Sequence, residues 1–586
     1  MNKYDKQIGL IFFLWCFLAV LPAKSFENEQ KIYSSSDDVY SDIEILYIAS
    51  GISLPSSSGP WSSGELRDMV ELIDIKNLSG SMRALYRSIC DQLYEEQEII
   101  REETLAFSSD IIFAPEVYAQ TNSDDFDSES DWNYGYEERS AMLNIPLEGW
   151  FSSIFYMRSD LSLGIDSGGI DSEDKDTSDD FYSTMLASNL YPVFPASVSN
   201  LNANFPFRSS VSFGGNHWNI ALGRDTVEWG VGESGNLTFG GNMKYENYLR
   251  YSAYYDTFKF TTLSVFYPHP ETVDGGSDQN SLYTGLKFFL AHRIEFKAFD
   301  NKLSLALSEA IMYQSADNTI DLSFYNPANV FHNYFIRANA NSLISLDWDY
   351  AITAGWTTYG QFLVDEYHVP GEPDPNDGED GAYPDAWGAL AGVKNTRAFR
   401  QGILKNVFEV VLASPYLYLR ESYEDGEEGK YGVSFYGDYR DYTSDGIEYN
   451  SYCTGYAYGG DCLTCTLKST YIVPDKWSAG AELFYMIHGI IDSDEAYHVL
   501  TGGESIASFL ATYYPDYTGN EDWSEEKYTT GELEYTVRSS ILGSRQVKEN
   551  LKVYGNLDFY LIKNKDNEAS DWVSDVQLVL GAKYLF

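Results

Sequence analysis

The sequence is poor in positive charge. Of 586 residues, 39 are Lys or Arg and 88 are Asp or Glu, which gives a formal net charge of −49. A nucleic-acid-binding protein needs a basic surface to meet phosphates, so we expect no nucleic-acid partner. The same balance argues against docking on an anionic membrane surface through a basic patch.

Long hydrophobic runs are also missing after the N-terminus. Two lysines precede an apolar run from Ile8 to Leu21, and the small residues Ala23 and Ser25 follow it. This run is shorter than the roughly 20 residues of a membrane-spanning helix, and its flanks are typical of a secretory signal peptide. We therefore predict a signal peptide over residues 1–25 and export of the remaining chain.

Cysteine and histidine are scarce, with 5 and 7 residues. The His residues show no metal-ligand spacing and no G-x-S-x-G motif occurs, so we expect no enzyme, no catalytic residue, no metal and no cofactor.

In an oxidising compartment Cys453 could form a disulfide with Cys462, whereas Cys465 and Cys90 are poorer candidates. One disulfide is the favoured expectation.

What the sequence has in excess is Tyr, with 48 residues, and a hydrophobic fraction of 44% that argues against disorder.

In residues 60–100, approximately, apolar side chains recur with the helical period of 3.6, and Ser62 or Ser63 can cap the first helix. The two apolar stripes are Leu66, Met69, Val70, Ile73 and then Met82, Leu85, Tyr86, Ile89, Leu93. A small N-terminal helical element is expected in a segment that spans residues 26–139 and includes an acidic linker.

From about residue 140 the period changes to two. Three examples of the apolar face are Ile344-Leu346-Trp348-Tyr350, Trp477-Ala479-Ala481-Leu483-Tyr485 and Leu551-Val553-Gly555-Leu557-Phe559-Leu561. Alternation over roughly 9–11 residues matches a strand that crosses a bilayer, and it exceeds the length of an ordinary sandwich strand. We predict an all-β fold, a large antiparallel transmembrane β-barrel over residues 140–586. A soluble exported β-protein is the alternative.

The last strand supports the barrel. Val576, Leu578, Leu580, Ala582, Tyr584 and Phe586 share one face. An amphipathic final strand ending in Phe resembles the signal that the barrel-insertion machinery of bacterial outer membranes recognises, and the aromatic ring would sit in the interfacial girdle. Acidic runs at 123–131, 171–180, 370–381 and 421–428 fit solvated loops between strands, because each is too charged and too rich in Gly, Pro or Ser for a strand. These loops could bind divalent cations, but none has the ligand spacing of a calcium loop, so the solvated loop is favoured.

The conspicuous motif is G-x-G-x-x-G at Gly230, Gly232 and Gly235. A dinucleotide fingerprint must open a helix in a βαβ unit, and here no helical stripe follows the preceding strand. A tight turn or a loop folded into the interior is the better interpretation.

Several segments in order resemble the Wzi-like capsule-assembly outer-membrane proteins. They are Phe205-Pro206-Phe207-Arg208, Gly223-Arg224-Asp225, Trp229-Gly230-Val231-Gly232, Gly235-Asn236-Leu237, His292-Arg293 with Glu295, Leu303 to Ser308-Glu309-Ala310, Tyr325-Asn326-Pro327, Phe331-His332-Asn333, Asn339-Ala340-Asn341, Tyr359 to Asp365 and Gly459-Gly460-Asp461. The resemblance implies a barrel of about 18 strands in the outer membrane of a diderm bacterium, with surface-exposed loops. It also implies a non-enzymatic, lectin-like role in holding capsular or other surface polysaccharide, and it assigns no ligand-binding residue.

The motif residues also allow a hypothesis about the lumen. Alternation directs Asp225, Arg293 and Glu295 inward, and we expect them to form a network that braces or plugs the lumen. Arg224, Glu309 and Trp229 are further candidates. The alternative function is a porin-like pore for small solutes, with an acidic lumen that favours cations. In either case the outer wall faces outer-membrane lipid.

Overall fold

The structure is a computed structural model. It describes residues 29–94, 100–101, 105–126, 132–134, 139–163, 189, 208–243, 245–267, 286–315, 322–326, 340–367, 385–419, 433–443, 446–491 and 532–586. The predicted signal peptide and the acidic runs at 171–180, 370–381 and 421–428 lie outside these residues, as does the larger part of the run at 123–131.

The chain forms a closed antiparallel β-barrel of 18 strands, as predicted. Strand β1 consists of three pieces, Leu105–Ser109, Ile112–Phe113 and Glu116–Gln120. The others are β2 (Leu143–Phe151), β3 (Phe155–Leu163), β4 (Ser209–Gly215), β5 (Trp218–Asp225), β6 (Glu246–Tyr255), β7 (Phe258–Tyr267), β8 (Leu286–Ala298), β9 (Leu303–Ser315), β10 (Ala340–Thr353), β11 (Trp356–Glu366), β12 (Ala386–Phe399), β13 (Gly402–Ala413), β14 (Cys462–Val473), β15 (Trp477–His488), β16 (Glu534–Lys548), β17 (Leu551–Lys563) and β18 (Val573–Leu585).

The alternation read from the sequence sets the two faces of the wall. On β8, Arg293 is 0% exposed and faces the lumen, whereas its neighbour Ile294 is 39% exposed on the outside. On β10, Asp347 is 1% exposed and Leu346 is 44% exposed. Apolar side chains thus cover the outer surface, and polar side chains line the interior, as in an outer-membrane barrel.

The barrel closes between its first and last strands. β18 pairs with β17 along one edge and with two pieces of β1 along the other, for example Leu580 with Val117. The barrel therefore begins at Leu105, before the boundary expected at residue 140. The pieces of β1 are only two to five residues long, so no sustained alternation marks them in the sequence.

Three helices precede the barrel: α1 (Asp38–Ser50), α2 (Ser63–Glu71) and α3 (Gly80–Tyr94). The Ser62 hydroxyl caps α2 by accepting from the Glu65 N–H at 3.3 Å, as expected. The helix α1 was not predicted. Its apolar residues surround it rather than forming one stripe, because it is buried on most sides. Among the described residues, no helix is both long and apolar enough to cross a membrane.

The helices pack at the end of the barrel where the strands are joined by short turns. The Gly355 N–H in the turn between β10 and β11 donates to the Ile48 carbonyl of α1 at 2.7 Å. Gly51 ends α1 with φ +72, and a Cβ there would lie 2.9 Å from the Ala354 nitrogen. Short turns face the periplasm in bacterial barrels, so the helices cover the periplasmic mouth.

Candidate functional site

Three chain segments fold into the lumen. The first is the N-terminal segment 53–62, which lies between α1 and α2. The second is the inner loop, residues 226–242, which connects β5 to β6. The third, here called the outer cap, comprises residues 414–419, 433–443 and 446–461 between β13 and β14. Buried side chains from the inner loop and the outer cap share one core with inward residues of the wall.

Arg293 binds the N-terminal segment to the wall. Its buried guanidinium donates to the Ser57 hydroxyl at 2.5 Å and to Asp347 at 2.6 Å, and it pairs with Glu295 at 3.3 Å. Glu295 accepts from the Ser57 backbone N–H at 3.2 Å and from the Ser58 hydroxyl. Because each buried charge has a partner of opposite sign, the cluster can exist away from bulk water.

Two other wall cations bind the same segment. The Lys259 ammonium lies 2.6 Å from Glu65 at the start of α2 and donates to the Ser58 carbonyl at 2.9 Å. The Arg250 guanidinium donates to the Pro60 carbonyl and is 0% exposed. The serine-rich segment therefore owes its position to hydrogen bonds from strands β6, β7 and β8.

Asp225 belongs to a separate cluster. The Arg208 guanidinium donates to Asp225 at 2.8 Å and to both carboxylate oxygens of Asp37, at 2.8 and 3.2 Å. Burial alone would raise the pKa of Asp37, but the Arg208 charge outweighs it and lowers this pKa to about 2. Asp37 immediately precedes α1, so this ion pair ties the start of the helix to the wall.

The glycines of the G-x-G-x-x-G motif shape the inner loop. Gly230 has φ +147, and a Cβ there would lie 1.9 Å from the Asn236 Oδ1. The Gly230 N–H donates to the Ser57 carbonyl at 2.8 Å, and the Gly232 N–H donates to Asn236 Oδ1 at 2.8 Å. The loop runs beside the N-terminal segment, and the described residues between the motif and β6 form no helix.

Trp229 fills the space between these two segments. It is 0% exposed, and its indole N–H donates to the Gly59 carbonyl at 3.1 Å. The adjacent Glu228 accepts from the Asn236 amide at 2.7 Å. Burial raises the pKa of Glu228 to about 7, and the Glu233 carboxylate adds to this rise.

The tip of the inner loop meets α1 in a cluster of four charges, here called the ionic latch: Glu44, Glu233, Lys394 and Lys405. Lys405 lies 2.7 Å from Glu44 and 2.6 Å from Glu233, and Lys394 lies 3.0 Å from Glu233 and also contacts Glu44. Burial disfavours the Glu233 charge, yet Lys394 and Lys405 hold its pKa well below the usual range. The latch joins a loop, a helix and strands β12 and β13.

Glu409 fixes the backbone at the same tip. It accepts from the N–H groups of Glu233 and Ser234 at 2.8 and 2.9 Å, and from the Tyr359 hydroxyl at 2.8 Å. In the outer cap, the Tyr418 hydroxyl donates to the Leu237 carbonyl at 2.7 Å. The inner loop is thus held from the wall and from the outer cap.

The structure does not bring all predicted residues together. Arg293 and Glu295 share one cluster, whereas Asp225 lies in the Arg208 cluster. Glu309 is outside the lumen: it pairs with His292 at 3.0 Å, and both residues lie opposite each other on the outer face of β8 and β9. Strand alternation also places Arg224 on the outer face, with its guanidinium carbon 6.0 Å from the centre of the Tyr245 ring.

Several contributing residues were not expected from the sequence. They are Asp37, Glu44, Arg208, Glu233, Asp347, Lys394, Lys405 and Glu409. The alternation of β10 already pointed to an inward Asp347. The partners from the inner loop and α1 had no such signal, because their positions depend on where these segments enter the lumen.

The disulfide expectation is wrong for this structure. Cys90, Cys453, Cys462 and Cys465 are all free thiols. Cys462 begins β14, and its sulfur lies 3.9 Å from the Gly459 carbonyl. The residues between Cys453 and Cys462 belong to the outer cap. They are held there by the Tyr456 N–H, which donates to the Tyr418 hydroxyl at 3.1 Å.

Comparison with known proteins adds the following. The model of the capsule assembly protein Wzi family matches residues 156–531. One similar solved structure is Escherichia coli Wzi, an outer-membrane protein of group 1 capsule assembly described as a carbohydrate-binding β-barrel. It is 13% identical, its TM-score is 0.54, and the match covers 95% of this chain and 99% of Wzi.

Two further structures, the second of them an outer-membrane channel, are more distant. Pseudomonas aeruginosa OprD is 8% identical with a TM-score of 0.38, over 82% of this chain and 95% of OprD. Acinetobacter baumannii DcaP is 10% identical with a TM-score of 0.35, over 84% of this chain and 100% of DcaP. No curated protein sequence matches this chain. Because the family model matches more than half of the chain, the protein belongs to the Wzi capsule assembly family and is an outer-membrane β-barrel.

Proposed function

We propose that the protein binds surface polysaccharide at the extracellular end of the barrel and holds it at the cell surface, without cleaving it. The observation that carries this proposal is the filled lumen. The N-terminal segment, the inner loop and the outer cap, here together called the plug, occupy the space that in a porin is filled with water. A barrel of this kind serves as a rigid base for its extracellular loops.

The lumen residues have a structural role in this proposal. Arg293 and Glu295 hold the N-terminal segment, Asp225 binds the Arg208 that ties the start of α1 to the wall, and Trp229 packs between the N-terminal segment and the inner loop. The sugar-contacting groups belong to the extracellular side, where aromatic rings can stack on sugars. The carboxylates of Asp225, Glu233, Glu295 and Glu409 are engaged by cations or N–H groups, which speaks against a cation-selective pore.

A direct experiment measures binding of detergent-purified protein to purified capsular polysaccharide and to a glycan array, together with conductance in planar bilayers. We expect saturable binding of one glycan class, recovery of the polysaccharide at unchanged size, and few conducting events. Discrete cation-selective current steps without glycan binding would support the pore instead. Shortening of the polysaccharide would contradict the non-enzymatic role.

We also propose that the barrel-insertion machinery engages β18, whose outward side chains are apolar. Photo-crosslinking from Leu578 and Leu580 should capture that machinery during assembly, whereas crosslinking from the inward Gln577 should not.

A further inference from the structure

The outer wall contains a groove near the periplasmic rim. It has a volume of about 700 Å³ and is lined by Trp477, Gly543, Ser544, Arg545, Val553, Tyr554, Gly555, Leu580 and Gly581. Gly543 and Gly555 are direct partners on β16 and β17, and Leu580 on β18 is opposite Gly555. Two adjacent outward positions thus carry no side chain, and this leaves a depression between apolar neighbours.

The lower end of the groove is polar and aromatic. Trp477 and Arg545 are cross-strand partners that face outward just above the periplasmic turns. Trp477 is 42% exposed, and its ring lies 5.2 Å from that of Tyr471. Arg545 is exposed, and within the described residues its guanidinium makes no hydrogen bond or ion pair, although its backbone belongs to the β-ladder.

Exposed cations outnumber acids at three periplasmic turns on this side of the barrel, although the chain is strongly acidic. Exposed cations lie at or beside the periplasmic turns that join β12 to β13, β14 to β15 and β16 to β17: Arg397, Arg400, Lys476, Arg545 and Lys548. Two acids lie at the same turns, Asp475 and Glu549, and Asp475 already accepts from the Ser88 hydroxyl at 2.8 Å. An unpaired cation beside an apolar groove matches a ligand with an anionic head and an apolar tail.

We propose that this groove binds one anionic glycerophospholipid of the periplasmic leaflet. Arg545 receives the phosphate, since a guanidinium donates to phosphate oxygens in a bidentate manner. Trp477 lies at the level of the headgroup, where indole rings are favoured. An acyl chain occupies the space over Gly543 and Gly555. The periplasmic position of the turns selects phospholipid rather than lipopolysaccharide, which occupies the opposite leaflet.

Native mass spectrometry of the full chain, extracted in mild detergent, tests this proposal. The protein is incubated with phosphatidylglycerol, with phosphatidylethanolamine or with lipopolysaccharide. Arg545→Gln should lower phosphatidylglycerol occupancy about tenfold, because it removes a charge-assisted contact. The matched control is Lys302→Gln, an exposed cation at the turn between β8 and β9 on another part of the rim, and it should retain wild-type occupancy.

Gly543→Leu fills the groove without touching the cation. A Cβ at Gly543 would lie 3.3 Å from the Ser478 carbonyl oxygen, slightly closer than ordinary van der Waals contact, and would meet no other atom within 4 Å outside the neighbouring residues. This variant should lose both phospholipids while Arg545→Gln loses mainly the anionic one. If Gly543→Leu fails to fold, the Arg545 comparison still decides. Three results would overturn the proposal. They are equal phosphatidylglycerol occupancy in Arg545→Gln and Lys302→Gln, retention of lipopolysaccharide alone, and a second protein copy in place of lipid.

Discussion

Replacing Arg293 by Met should strongly destabilise the protein. Arg293 is 0% exposed, and it is the cation next to both Asp347 and Glu295. Met conserves much of the side-chain length but leaves both carboxylates buried without that cation. Removing one partner of a buried ion pair costs about 3–5 kcal/mol. The hydrogen bond to Ser57 is lost as well, so the N-terminal segment should detach from the wall.

The assay is urea unfolding of the purified barrel in detergent, followed by its heat-dependent mobility in electrophoresis. Arg397→Met, which removes an exposed cation from the rim, is the control and should change stability by less than about 0.5 kcal/mol. The double variant Arg293→Met with Asp347→Asn should recover part of the loss, because it removes one of the stranded charges. If Arg293→Met matches the control in stability, mobility and bilayer current, the cluster does not brace the lumen.

Three further predictions concern the plug and the thiols. The double variant Lys394→Gln, Lys405→Gln should free the inner loop from α1 and produce discrete current steps in planar bilayers, whereas Arg397→Gln should remain silent. The pKa of Glu228 is about 7 in the folded protein, above its ordinary 4.5, so the folded state binds the Glu228 proton more tightly than the unfolded state does. This proton binding stabilises the fold fully below pH 4.5. The contribution, about 3 kcal/mol, is lost as the pH rises through 7. Glu228→Gln should flatten this part of the pH–stability curve, and an unchanged slope would refute the assignment. The intact mass should not change on reduction, and a shift of two hydrogens would reveal a disulfide among the four cysteines.

The sequence was sufficient to predict the wall. Alternation in β10, β15 and β17 has a period of two, and burial on one face with lipid on the other enforces it along the whole strand. The helices α2 and α3 were predicted for a similar reason, since each has one apolar stripe. Strand β1 and helix α1 were missed because their local patterns are short or uniformly apolar, and their conformation depends on tertiary contacts.

The lumen was only partly predictable. Alternation indicates that Asp225 and Glu295 point inward, but it cannot tell which groups approach them from the plug. Ser57 comes from a segment far away in the chain without a repeating pattern, whereas Arg208 lies 17 residues before Asp225 but just outside the alternating residues of β4. Arg224 is the neighbour of the inward Asp225 on β5, so the same alternation places it on the outer face. Alternation along β9 places Glu309 on the outer face in the same way.

The net charge of −49 suggested an acidic lumen that would favour cations, and the pairing in the structure changes this inference. Inward carboxylates at Asp225, Glu295 and Glu233 each face at least one Arg or Lys, and Glu409 accepts from backbone N–H groups and a tyrosine. A carboxylate that is neutralised and hydrogen-bonded offers little attraction to a passing ion. The charge of the chain therefore does not measure the charge of its interior. These buried pairs instead fix the inner loop, the N-terminal segment and the wall in one arrangement, which a rigid support for extracellular loops requires and an open channel does not.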